Sequence, residues 1–174
     1  MKSGCSGMVF WLTGLAGAGK STLAAETTTL LKERGRQAIL LDGDELRKLF
    51  VTGESTFSLE ERRTLAGQYA HLCHLLSEQG VDVVCATISL FPEVQAWAKD
   101  RISGFRLVYI RVDMDVLHQR DQKGLYSRAA RGEVTNVMGV DLPYDEPHAP
   151  DLILDNNGDR SPRQLAAQIV DGVD

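Results

Sequence analysis

The sequence predicts an α/β fold, with a five-stranded parallel sheet, helices on both faces and a mobile lid. Short apolar runs alternate with segments of helical periodicity, which is the pattern of parallel strands joined by crossover helices. The 174 residues are enough for one sizeable core but few for two ordinary domains, so residues 1–174 are expected to form a single domain. Residues 121–150 interrupt the alternation with glycines and prolines, and they are the predicted lid.

The first half of the chain opens with a strand. Residues 8–13 read MVFWLT, a continuous apolar run of the kind found in buried parallel strands. Helical spacing follows over residues 20–34, and residues 38–41 form the second predicted strand. Ser58 precedes an acidic first turn, so it is expected to cap a long amphipathic helix that runs to residue 80.

The second half continues the alternation. The predicted elements are a strand over 81–88, a helix over 92–102, a strand over 106–112, a short helix over 114–120, a strand over 152–154 and a last helix capped by Ser161 and Pro162.

A phosphate-binding motif lies between the first strand and the first helix. Residues 14–21 read Gly-Leu-Ala-Gly-Ala-Gly-Lys-Ser, which fits G-x-x-x-x-G-K-[ST] in the structural context that the motif requires. Backbone N–H groups and the helix N-terminus bind phosphate oxygens in such a P-loop, while the lysine reaches the outer phosphates and the serine ligates Mg²⁺. The residues expected to contact ATP are Gly14, Leu15, Ala16, Gly17, Ala18, Gly19, Lys20, Ser21, Thr22 and, at the edge of the lid, Arg120. A tight turn with a solvated lysine is the simpler alternative.

A P-loop occurs in kinases, switches and motors, and two observations favour a small-molecule kinase. The guanine-reading segment N-K-x-D of GTPases is absent from the sequence. An ATPase motor would need more chain for its mechanical parts than 174 residues provide. The sequence therefore predicts a P-loop kinase that uses ATP and Mg²⁺.

Two aspartates follow the second strand, at the sheet edge where α/β folds bind ligands. Asp42 and Asp44 are two residues apart. One carboxylate can accept the proton of an acceptor hydroxyl while the other organises Mg²⁺ through water. The alternative is structural: Asp44 only caps the following helix and Asp42 only ends the strand.

The predicted lid contains basic residues. Arg120, Lys123 and the arginines at 128 and 131 are expected to close over the phosphates, or else to form a solvated basic loop.

Composition limits the partners. The net charge of −5 provides no basic field for nucleic acid, and no apolar run reaches membrane-spanning length. Cys5, Cys73 and Cys85 are odd in number and lack paired spacing, which favours reduced thiols and a cytoplasmic location. His71 and His74 flank Cys73 on the polar side of a predicted helix, and no further ligand cluster supports a metal site there.

Five segments of the sequence carry a family resemblance. They are GLAGAGKSTLA, LDGDELR, FSLEERR, ATIS and RDQKGLYSRAARGEVTNVMGVDLPYDEPHAPDLILD, and together they are similar to the adenylylsulfate kinases, which phosphorylate the ribose 3′-hydroxyl of adenylyl sulfate. The resemblance implies a homodimer, with Asp44 as the catalytic base and Asp42 as its magnesium-linked neighbour. The acceptor-binding positions that it implies are Asp42, Asp44, Arg47, Phe57, Arg62, Ile88, Ser89, Lys123, Gly124 and Leu125.

The chain departs from the family pattern on the acceptor side. An asparagine and two arginines are replaced by Leu65, Gly67 and Gln68, another arginine by Pro92, and a lid phenylalanine by Val137. That phenylalanine would complete an aromatic sandwich around adenine with Phe57. The departures suggest a conserved reaction with a changed acceptor, for example the cytidine diphosphoramidate that related kinases use in capsule synthesis. A nucleotide-binding module without transfer activity is the alternative from another functional class.

Overall fold

Five parallel strands form one sheet in a computed structural model that describes residues 6–53 and 55–171. The strands are β1 (Val9–Thr13), β2 (Ala38–Asp42), β3 (Asp82–Ala86), β4 (Phe105–Arg111) and β5 (Leu152–Asp155). Their order is β2-β3-β1-β4-β5, so the strand before the P-loop pairs with β3 on one side and β4 on the other. The predicted five-stranded parallel sheet is confirmed. Cys5, expected to be a reduced thiol, lies outside the described residues.

Helices cover both faces of the sheet. They are α1 (Lys20–Glu33), α2 (Gly43–Phe50), α3 (Leu59–Ser77), α4 (Pro92–Arg101), α5 (Met114–Arg120), α6 (Leu125–Ala130) and α7 (Pro162–Val170), with a 3₁₀ turn at Gln122–Gly124. Helices α1 and α7 pack together, and α3 packs on α4. In the part of the chain that the structure describes, no helix combines the length and apolarity needed to cross a membrane.

The core lies between the central strands and these helices. Val9 to Leu12 of β1 are at most 1% exposed, because a central parallel strand is covered on both faces. Trp11 is among these buried residues. Cys73 and Cys85 are buried free thiols, on α3 and β3 respectively.

Element boundaries differ from the predictions in a few places. The predicted strand over 81–88 is shorter, running from Asp82 to Ala86, and beyond it the hydroxyls of Thr87 and Ser89 bond to each other at 2.8 Å. Helix α3 ends at Ser77 rather than at residue 80. The sequence pattern gave no bounds for α2, because its eight residues are too few to display a period.

The segment predicted as a lid is partly helical. Residues 121–150 contain the 3₁₀ turn, helix α6 and an isolated bridge between Met138 and Leu142. Val137 and Met138 are buried, at 4% and 3% exposure. The mobility of the segment remains a prediction.

Candidate active site

The P-loop passes so close to its neighbours that two of its positions have no room for a side chain. Gly14 has a φ of 149°, and a Cβ there would lie 2.4 Å from the carbonyl oxygen of Ile110. Gly19 has a φ of 90°, and a Cβ there would lie 2.7 Å from Nδ2 of Asn156. Glycine is therefore required at both positions for sterics as well as for backbone conformation.

Four consecutive carbonyl groups of the loop accept hydrogen bonds from side chains. From donor to acceptor, the bonds run from Lys20 to Leu15 at 2.7 Å, from Tyr126 to Ala16 at 2.8 Å, from Arg120 to Gly17 at 3.4 Å and from Asn156 to Ala18 at 2.9 Å. In a trans peptide the C=O of one residue and the N–H of the next point in opposite directions. Carbonyls held outward at residues 16 and 18 therefore turn the N–H groups of Gly17 and Gly19 towards the interior of the loop.

Lys20 is held inside this loop. Burial lowers the pKa of its ammonium group to about 8, while the carboxylates of Asp44 and Asp42 act in the opposite direction. The ammonium group is therefore incompletely solvated, and an anionic phosphate would provide the missing partner.

Asp42 connects the P-loop helix to the two aspartates. Its Oδ2 accepts a hydrogen bond of 2.5 Å from the Ser21 hydroxyl, and its Oδ1 accepts one of 2.9 Å from the backbone N–H of Asp44. Asp42 is thus the N-cap of α2. The structural alternative named Asp44 as the cap of this helix. In the structure the cap is Asp42, which therefore does more than end the strand.

The carboxylate of Asp44 faces the lid. Its Oδ2 lies 3.3 Å from Nζ of Lys123, and both side chains are largely exposed. Lys123 is in the left-handed region at φ 60°, in the same turn as Asp121. The Asp121 carboxylate accepts hydrogen bonds from the backbone N–H groups of Tyr126 and Ser127 at 2.8 and 3.1 Å. These bonds secure the start of α6, and those from Ser127 contribute most to lowering the pKa of Asp121.

The aromatic ring predicted to contact the acceptor is accompanied by two arginines. The guanidinium carbons of Arg47 and Arg62 lie 4.5 and 5.5 Å from the centroid of the Phe57 ring, which is 43% exposed. Arg62 also donates to the backbone carbonyls of Phe57 and Asn136, at 2.8 and 2.9 Å. Asn136 donates in turn to the carbonyl of Thr56 at 2.9 Å. These three bonds fasten the Phe57 loop to the lid.

Arg47 has unused hydrogen-bonding capacity. Its Nε and Nη1 atoms are buried, and neither has a hydrogen-bond partner among residues 6–53 and 55–171. A buried donor of a charged group without a partner is costly, so this arrangement suits a bound anion.

Two of the replaced family positions, Leu65 and Gln68, line a groove that also includes Ser58, the residue after Phe57. Val137 is 4% exposed, and its carbonyl closes a turn by accepting from the N–H groups of Val140, Asp141 and Leu142. Leu65 is 4% exposed. Between the end of α2 and the start of α3 a groove of about 420 Å³ is lined by Phe50, Val51, Thr52, Ser58, Glu60, Glu61, Thr64, Leu65 and Gln68.

Several predicted contact residues are engaged elsewhere. Ser89 is 2% exposed, and its hydroxyl bonds to Thr87, so it does not line an open site; Ile88 beside it packs against the core. Arg120 points its guanidinium at the carbonyls of Gly17 and Asn156 rather than into the loop interior. The other predicted lid arginines, at 128 and 131, both pair with the carboxylate of residue 133, at 3.7 and 2.5 Å. Thr22 is exposed in the first turn of α1, while Gly124 and Leu125 continue the Lys123 turn.

Sequence reasoning missed two residues of the site, Tyr126 and Asn156. Tyr126 belongs to the D-Q-K-G-L-Y segment, but nothing in the segment indicates that its hydroxyl reaches the P-loop. Asn156 follows β5 in a turn that carries no motif.

Comparison with known proteins identifies the family. The family model for adenylylsulphate kinase matches residues 6–155. The chain belongs to the adenylylsulphate kinase family. It is 41% identical over 150 residues to a probable adenylyl-sulfate kinase of Bacillus subtilis, covering 85% of this chain and 76% of that protein. It is also 40% identical over 149 residues to the cytidine diphosphoramidate kinase of Campylobacter jejuni, covering 86% of each.

A solved structure of this family shares the fold. The Mycobacterium tuberculosis APS kinase in complex with AMPPNP and APS superposes with a TM-score of 0.85 at 34% identity, covering 95% of this chain and 96% of that one. The adenylylsulphate kinase family assignment confirms the predicted P-loop fold and places the chain among ATP-dependent phosphotransferases.

Proposed function

We propose that this protein transfers the γ-phosphoryl group of ATP to the ribose 3′-hydroxyl of a nucleotide. The observation that carries the proposal is the meeting of the Asp44 carboxylate and the Lys123 ammonium at 3.3 Å, at the same sheet edge as the P-loop. Phosphoryl transfer depends mainly on positioning and on neutralising charge, and a carboxylate beside a cation can serve both needs.

The donor side would hold the ATP phosphates with the inward N–H groups of the loop and with Lys20. Ser21 and Asp42 supply hard oxygen ligands of the kind that Mg²⁺ prefers, Asp42 acting through water. The described part of the chain has no group of three or more His, Cys, Asp or Glu residues that could enclose a metal. This fits a Mg²⁺ ion shared with substrate phosphates, which would neutralise charge on the transferred group.

Asp44 is the proposed base. A solvent-exposed ion pair contributes only about 0–1 kcal/mol, so an incoming hydroxyl can displace Lys123 from Asp44 at little cost. The carboxylate would then accept the hydroxyl proton, while Lys123 remains close enough to balance the negative charge of the phosphoryl group.

Adenylyl sulfate is the acceptor that family membership supports, since several relatives are adenylyl-sulfate kinases. The buried Nε and Nη1 groups of Arg47, which have no partner within the described residues, lie beside the Phe57 ring and fit an acceptor with an aromatic base and an anionic group. We also propose a homodimer in the cytoplasm, in line with the resemblance and the two buried free thiols.

Cytidine diphosphoramidate is the second candidate acceptor. It is favoured by the 40% identity to the Campylobacter jejuni kinase and by Val137, which leaves Phe57 without an aromatic counterpart at that position. Base–aromatic stacking is worth about 1–3 kcal/mol per base, so its loss would weaken a purine more than a smaller pyrimidine.

The deciding experiment measures ADP formation by purified protein with ATP, Mg²⁺ and either acceptor, followed by direct competition between the two. Acceptor-dependent ADP formation supports the proposal, and the preferred acceptor is the one with the higher kcat/KM. ATP binding without ADP formation for any nucleotide acceptor would instead indicate a non-catalytic module.

Asp44→Asn tests the base. We expect kcat to fall about 10²–10⁴-fold with ATP affinity retained, which is the usual range for losing a general base. Glu45→Gln is the matched control, because Glu45 is the next residue and pairs with Lys48 on the exposed side of α2. Activity of Asp44→Asn equal to that of the control would remove Asp44 from this role.

A further inference from the structure

The outer side of the P-loop is held by three parts of the chain that are far apart in sequence. Tyr126 in α6, Arg120 at the end of α5 and Asn156 after β5 donate to the carbonyls of residues 16, 17 and 18. Two of these bonds are short, at 2.8 Å from Tyr126 and 2.9 Å from Asn156, whereas that from Arg120 is 3.4 Å.

Two of the donors are bonded directly to each other, and the third is linked to them through Asp121. Arg120 donates to the backbone carbonyl of Asn156 at 2.7 Å, and Asn156 is anchored to β4 by its N–H bond of 3.0 Å to Arg111. Asp121, the residue after Arg120, accepts from the N–H of Tyr126. The P-loop, the end of β5 and the start of the lid segment thus form one connected hydrogen-bond network.

The Tyr126 hydroxyl is a fixed part of this network. Tyr126 is 4% exposed, and its ring lies 5.2 Å from that of His118 on α5. Burial raises the pKa of Tyr126 to about 12, so the hydroxyl keeps its proton and donates at neutral pH. A buried ring has little freedom to move its hydroxyl away from Ala16.

We infer that Tyr126 and Asn156 are positioning residues that hold the P-loop carbonyls outward, and that Tyr126 couples nucleotide binding to the lid turn carrying Lys123. Only three positions separate Lys123, which faces Asp44, from Tyr126, which holds the loop. A nucleotide that stabilises the P-loop therefore also stabilises the position of Lys123. By thermodynamic linkage, an ordered Lys123 turn strengthens nucleotide binding by the same factor. The inference rests on the proposed binding of ATP in the loop.

The test compares Tyr126→Phe, which removes one hydroxyl, with the unmodified protein. We expect the Kd for AMPPNP with Mg²⁺ to rise about three- to tenfold, the scale of one hydrogen bond. Hydrogen exchange supplies a readout that a purely structural role would not change. AMPPNP should slow amide exchange over residues 121–130 in the unmodified protein and much less in the variant.

Two further variants complete the test. Tyr109→Phe is the matched control, since it removes a hydroxyl bond of 3.1 Å to Glu146 that does not involve the P-loop, and it should leave both readouts unchanged. Asn156→Ala should weaken AMPPNP binding to a similar extent as Tyr126→Phe. If Tyr126→Phe does not fold, the Kd of Asn156→Ala for AMPPNP is the measurement that decides.

The outcomes separate the inference from the function on which it rests. Equal AMPPNP affinity and equal exchange protection in Tyr126→Phe and the unmodified protein would overturn the inference alone. Failure of the unmodified protein to bind AMPPNP would overturn the proposed function and the inference with it.

Discussion

The hydroxyl of Ser21 and the carboxylate of Asp42 are joined by a hydrogen bond of 2.5 Å. Ser21 lies in the first turn of α1, and Asp42 is both the last residue of β2 and the N-cap of α2. The bond therefore links the helix that follows the P-loop to the helix that carries Asp44 and Arg47. One aspartate fixes the position of the proposed magnesium ligand and of the proposed base.

Asp42→Asn separates the two roles of this residue. Asparagine caps helices as well as aspartate does, so α2 should remain folded and the melting temperature should change little. The lost charge should raise the Mg²⁺ concentration needed for half-maximal activity about 10–100-fold, as is typical when an outer-sphere partner is removed. A Mg²⁺ titration of activity measures this change. An unaltered titration would mean that Asp42 only caps the helix.

Nucleotide affinity should depend on the protonation of Lys20. The pKa of this residue is about 8 in the free protein, and bound phosphates would raise it by stabilising the charged form. The complex then holds more protons than the free protein above pH 8, so ATP binding should weaken as pH rises, by up to about tenfold per pH unit. Calorimetric titrations between pH 7 and 9.5 measure this, and Lys20→Met should show weak binding without the pH dependence. A flat profile for the unmodified protein would contradict the assignment.

Replacing Arg62 should weaken binding of the acceptor and leave binding of ATP unchanged. Arg62→Ala removes the donors to the carbonyls of Phe57 and Asn136, so the Phe57 loop loses its attachment to the lid. We expect the KM for the acceptor to rise about tenfold and the KM for ATP to stay within twofold. Arg63→Ala is the control, since the adjacent Arg63 pairs with Glu93 on the exposed surface. A rise in the KM for ATP equal to that for the acceptor would indicate a general loss of structure instead.

Val137→Phe should not restore an aromatic sandwich. Val137 is 4% exposed, so the larger ring would be forced into a filled space at a cost of about 1–3 kcal/mol in unfolding free energy. Chemical denaturation should show this loss, and the preference between adenylyl sulfate and cytidine diphosphoramidate should not change. A shift of preference towards adenylyl sulfate without loss of stability would show that position 137 can reach the base.

Local patterns in the sequence account for most of the fold and for the donor half of the site. The P-loop was found because its residues are contiguous and the strand and helix around it have strong periodicity. The burial of Ser89 was not foreseen, because it depends on Thr87 and on the packing after β3, which a motif does not encode, and its contact with the acceptor remains a prediction. Tyr126 and Asn156 were missed because each meets the P-loop across more than 100 residues of chain, and contacts of that kind leave no spacing to detect.

The weak, exposed contact between Asp44 and Lys123 also has a consequence for the hydrolysis of ATP by water. Until an acceptor arrives, Oδ2 of Asp44 is in contact with the Lys123 ammonium at 3.3 Å, so a passing water molecule would have to displace this cation before it could donate to the same oxygen. With Asp44 as the proposed base, bound ATP would be protected from attack by water until the substrate hydroxyl displaces Lys123.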